Sequence, residues 1–66
     1  MIKEFYVVHN EGDEKAILTV LQLFGYKWAD GDDPTSWIPS RHGSHWRGFP
    51  YLLTIGKEGL TWERMR

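Results

Sequence analysis

A chain this short without a single cysteine has to be held together by its core alone. The sequence has 66 residues and no Cys. Neither a disulfide framework nor a thiolate zinc site can therefore supplement a core near the lower size limit for independent folding. What it has instead is aromatic mass: four Trp, three Tyr and three Phe, each able to bury a large area and to make geometry-specific ring contacts. The length allows one domain, 1–66.

Eight Lys and Arg against nine Asp and Glu give a formal charge of -1, without the basic excess of proteins that coat duplex nucleic acid through its phosphates. No apolar run approaches the roughly 20 residues that cross a bilayer, and the first ten residues lack the apolar stretch and small-residue cleavage site of a signal peptide. A soluble intracellular chain is expected.

Residues 2–8, IKEFYVV, are β-branched and aromatic and too few for a freestanding helix. They predict a strand with Phe5 and Val7 on one face and Tyr6 and Val8 on the other. Asn10 then offers an N-cap, Asp13 a weak capping-box partner, and Glu11, Asp13 and Glu14 match the positive end of a helix. That helix is expected over 11–24, ending where Gly25 suits a left-handed C-cap. Ile17, Val20, Leu21 and Phe24, edged by Ala16 and Leu23, fall on the stripe predicted to face the core. Leu18, on the flank beside Thr19 and Gln22, is predicted to be exposed.

Near the other end, YLLTIGKEGLTWE (51–63) holds two β-type runs around Gly56-Lys57-Glu58-Gly59, a connection of hairpin length. Between them and the helix, TSWI (35–38) is bracketed by Pro34 and Pro39 and is the one run there that could add a short strand. The expected architecture is α+β, β-α-(β)-β-β: a small antiparallel sheet of three to four strands with one helix packed on one face. Segment 29–50 exceeds the usual loop length, which marks it as the place to look for function.

Its motifs are weighed there. Asp30, Asp32 and Asp33 do not make an EF-hand loop, because the fifth and twelfth positions from Asp30 are Pro34 and Arg41; a turn before Asp33-Pro34 accounts for them. His42 and His45 have a spacing that two imidazole ligands could use, with His9, Asp30 or another acid as a third, but two histidines in a loop do not define a metal site. Neither a metal nor a cofactor is expected. Ser40 and Ser44 lack a nucleophile elbow, and phosphate-loop and dinucleotide fingerprints are absent, so no enzymatic activity is expected. Recognition is the reading that remains. Arg41, His42, His45 and Arg47 can meet anionic groups, while Trp46, Phe49 or Trp37 can stack on a base or enter a partner's pocket. Trp28 and Trp62 are assigned to the core, and Trp46, between His45 and Arg47, is predicted to be exposed.

The pattern Leu21-x-x-x-Gly25-Tyr26-x-Trp28-x-x-Gly31-x-x-Pro34-Thr35, followed by Phe49-Pro50-Tyr51 and a hairpin ending in Thr61-Trp62, resembles small uncharacterised proteins encoded by bacteriophages and prophages. The resemblance covers most of the chain and supports reading GYKW (25–28) as a cap followed by core aromatics. It implies an accessory protein of the host cell cytoplasm that inhibits a host or anti-phage defence protein by direct, non-catalytic binding. Two alternatives stand beside it: sequestration of a nucleotide-derived immune signal, with homo-oligomerisation supplying pocket volume, and single-stranded nucleic-acid binding, which the acidic balance disfavours.

Overall fold

The computed structural model describes residues 4–65 and shows an α+β chain. Its elements are β1 (Glu4–Val8), α1 (Glu11–Leu23), a four-residue helix α2 (Pro39–His42), β2 (Tyr51–Gly56) and β3 (Gly59–Arg64). The strands form one antiparallel sheet in the order β1-β2-β3. Residues 2 and 3 of the predicted first strand lie outside the described residues. No helix among the described residues is long and apolar enough to cross a membrane.

Local chemistry sets the ends of α1. Asn10 is extended and its side-chain oxygen accepts from the Asp13 N–H at 2.8 Å, satisfying one of the donors a helix start leaves free. Asp13 reaches back to the His9 N–H at 3.5 Å rather than to the capping residue itself. At the other end Phe24 is the C-cap and Gly25 adopts φ +89°, while Gly25 N–H donates to Gln22 O and Tyr26 N–H to Leu21 O, both at 3.0 Å. These two bonds make a Schellman motif, which needs a left-handed residue where Gly25 stands.

The face that α1 turns inward differs from the predicted stripe. Leu18 is 1% exposed and Leu21 is buried, with Ile17 packed beside them, whereas Phe24 is 76% and Leu23 80% exposed and Val20 is also in the open. The inward row is Glu14, Ile17, Leu18 and Leu21, the i, i+3, i+4, i+7 pattern of one helical face. An acid sits at its head, and leaving Glu14 out of the stripe rotates the whole assignment.

Val8, Leu18, Leu21, Trp28, Tyr51, Leu53 and Leu60 form the buried cluster. Register places Val8, Tyr51, Leu53, Leu60 and Trp62 on the sheet face that meets α1, and Phe5, Val7, Leu52, Thr54, Thr61 and Glu63 on the other. Segment 29–50 completes the covering layer. Trp37, Ile38, Trp46 and Phe49 pack against the core, and Pro34 and Pro39 are fully buried.

TSWI does not form a strand: 34–37 is a turn that leads into α2. The additional pairing occurs earlier. Trp28 bridges Leu60 in parallel, with Leu60 N–H donating to Lys27 O at 2.8 Å and Ala29 N–H to Leu60 O at 2.9 Å. Gly59 permits this crossing, since it has φ +119° and a Cβ there would stand 2.6 Å from Lys27 O.

Candidate functional site

The deepest polar feature is the Glu14 carboxylate, 2% exposed. Its Oε2 accepts from the Tyr51 hydroxyl at 2.9 Å and from the Ser40 N–H at 3.3 Å, and its Oε1 accepts from the Ser40 hydroxyl at 2.5 Å. Three elements meet there: α1 supplies the acid, α2 the serine and β2 the tyrosine. A buried carboxylate is costly unless its oxygens find donors, and here both do. Tyr51 responds in turn. Burial pushes its phenol well above the usual range, the hydrogen bond to Glu14 adds to the rise, and the charge of Glu14 adds more.

Chemically this cluster is a fastening. Ser40 directs both its N–H and its hydroxyl hydrogen into the carboxylate, so the hydroxyl points inward rather than toward a substrate. No buried side-chain nitrogen or oxygen among the described residues lacks a hydrogen-bond partner. A cleft of about 520 Å³ lies alongside, between α1 and α2, with Glu14 and Leu18 in its wall and Lys15 and Arg41 among its lining residues.

The sequence-predicted binding residues do not converge on one surface. Trp46, predicted to be exposed, is half-buried. Its ring meets Phe49 edge-on at 4.8 Å and Tyr51 edge-on at 5.5 Å and lies 6.0 Å from Trp62. The reason is parity: Tyr51 and Trp62 share the inner face of the sheet, and aromatic rings from the long segment pack against them there. Trp37 also turns inward, 5.5 Å from Trp28, whose indole N–H donates to Trp37 O at 2.8 Å. His42 is committed to the backbone, its Nδ1 accepting from the Ile38 N–H at 3.0 Å at the start of α2. This bond places the proton of the neutral ring on Nε2.

Arg41, His45 and Arg47 remain exposed. Arg41 lines the cleft beside Glu14, while Arg47 lines a separate one with Arg64. No group of three or more His, Cys, Asp or Glu side chains placed to hold a metal occurs among the described residues.

Sequence reasoning missed two features. The Glu14 fastening was signalled by the complete 14-17-18-21 row once an acid is admitted to it. The second is an apolar surface at the end of α1. Val20, Leu23 and Phe24 are three and four residues apart, hence neighbours on the helix surface, and all are exposed. The sequence signal was a helix with more apolar positions than one buried face can hold. The flank beside them is tethered, with Gln22 Oε1 accepting from the Thr35 N–H at 3.1 Å and also from the Thr35 hydroxyl.

Comparison with protein-family models, curated proteins and solved structures returns no match.

Proposed function

We propose that this chain is a non-catalytic accessory protein, phage-encoded as its resemblance implies, that acts in the host cell cytoplasm by binding and inhibiting a host or anti-phage defence protein. The observation that carries the reading is the patch of Val20, Leu23 and Phe24, in which a leucine and a phenylalanine stand 80% and 76% exposed side by side. Contiguous exposed apolar surface on a small protein is a mark of a contact surface. Spacing at i, i+3 and i+4 on a helix is how helical anchors enter an apolar groove. No charged side chain interrupts the three: the last turn of α1 has no basic residue, and Lys27 is paired with Asp33 at 2.7 Å. The partner surface that fits is therefore an uncharged apolar groove. A non-catalytic mode is supported by Glu14, whose carboxylate is held by three donors from its own chain.

The test is affinity capture from a bacterial host lysate, comparing the wild type with the double variant Leu23→Ser, Phe24→Ser. A stoichiometric polypeptide should be held by the wild type and lost by the double variant, while circular dichroism and the urea midpoint stay close to wild type. Equal capture by both proteins, or capture by neither, would sink the reading.

A further inference from the structure

A second cleft lies at the opposite end of the sheet from the apolar patch. Val8, Tyr51 and Arg64 are register neighbours there, at the end where α1 begins, whereas the patch is at the C-terminal end of α1. Arg47, Phe49, Pro50 and Arg64 line this cleft with Gly48 and Met65, around a volume of about 380 Å³. No acid is among its lining residues. The single ion pair among the described residues is Lys27–Asp33, so neither guanidinium meets a carboxylate of those residues.

Two guanidiniums at one cleft repel each other, and an anion between them turns that repulsion into two attractions. The arginine fork matches phosphate geometry through paired N–H donors. Phe49 supplies the apolar wall, and its ring is already fixed, edge-on to Trp46 at 4.8 Å and stacked on Tyr51 at 5.9 Å. A wall held in place before binding adds little ordering cost. The volume stands at the small end of the range of small-molecule sites.

We propose that this cleft binds a small phosphate-bearing ligand with a planar ring, of mononucleotide size, the phosphate held between Arg47 and Arg64 and the ring against Phe49. The site rests on this cleft and not on the reading of the apolar patch. It also differs from the binding set expected from sequence, since Arg64 takes the place of Arg41 and, of the candidate rings, Phe49 rather than Trp46 or Trp37 lines the cleft.

Calorimetric titration at low ionic strength with adenosine monophosphate, inorganic phosphate and adenosine tests it, followed in parallel by tryptophan fluorescence because Trp46 touches Phe49. The wild type should bind one adenosine monophosphate per chain, more tightly than inorganic phosphate, and should not bind adenosine. Arg47→Ala and Arg64→Ala, both at exposed positions, should each weaken it roughly tenfold or more, as expected for a lost charged hydrogen bond. Arg41→Ala, in the other cleft, should leave affinity unchanged. Absence of saturation at millimolar nucleotide, adenosine binding equal to that of its monophosphate, inorganic phosphate binding as tightly as the nucleotide, or equal losses in all three arginine variants would overturn the proposal. None of these outcomes touches the Leu23 and Phe24 surface, so the two readings fail separately.

Discussion

The two flanks of α1 invert the usual order of side chains. One buries a glutamate at 2% exposure beside Leu18, and the other leaves Leu23 and Phe24 in water. A hydrophobicity ranking predicts the reverse. The difference lies in what each flank faces. Toward the sheet, the Tyr51 hydroxyl and the Ser40 N–H and hydroxyl present three donors to one point, and a carboxylate there is better matched than a methyl group would be. On the other flank no element among the described residues covers the helix end, and Leu23 and Phe24 stand exposed. Side-chain burial in so small a protein follows the geometry of the neighbouring elements.

Glu14→Ala should strike this contrast hardest. It leaves the Tyr51 and Ser40 donors without their acceptor and opens a cavity between three elements, at an expected cost of about 3–5 kcal/mol. Urea unfolding checks it, and a loss under about 1 kcal/mol would mean that the acid is dispensable to the fold. Next in size is a paired comparison on the same helix. Leu18→Ala should cost about 2–4 kcal/mol and Val20→Ala less than about 1 kcal/mol, as a buried and an exposed site differ. Equal losses would restore the stripe predicted from sequence and refute the one observed.

Tyr51→Phe sharpens the contrast most finely. Below about pH 10 it removes one hydrogen bond to Glu14 and should cost about 1–2 kcal/mol. The sign above that pH follows from the raised phenol of Tyr51. The unfolded chain releases this proton from about pH 10 upward while the folded chain keeps it, so the unfolded state binds fewer protons and stability falls as pH rises. The phenylalanine variant lacks that loss. The gap between the two urea midpoints should therefore be constant at pH 8–9 and narrow above pH 10; a gap independent of pH would place Tyr51 in water rather than against Glu14.

The frame of the fold was legible because its signals are local. Asn10 and Gly25 mark the ends of α1 by bonds spanning three to five residues, and Gly56 and Gly59 close the hairpin as paired neighbours. The candidate sites were not legible, because they are made by residues far apart in the chain. Trp46 reads as exposed when its neighbours are His45 and Arg47, and as half-buried once Tyr51 and Trp62 are seen to share a face. Arg47 belongs with Arg64 only because Tyr51 and Arg64 are register partners. The three-stranded sheet, with a bridge at Trp28 in place of a strand at 35–38, turned on one contact between Leu60 and the Lys27–Ala29 backbone.

By itself the sequence determined the element types, the caps of α1, the hairpin, and an aromatic core in place of disulfides. These follow from hydrogen bonds and steric limits within a few residues, or from composition alone. Only the tertiary structure decided which way α1 is turned. The donors that admit Glu14 to the interior stand 26 and 37 residues away from it, and no local pattern carries information about a partner that only the closed sheet brings within reach.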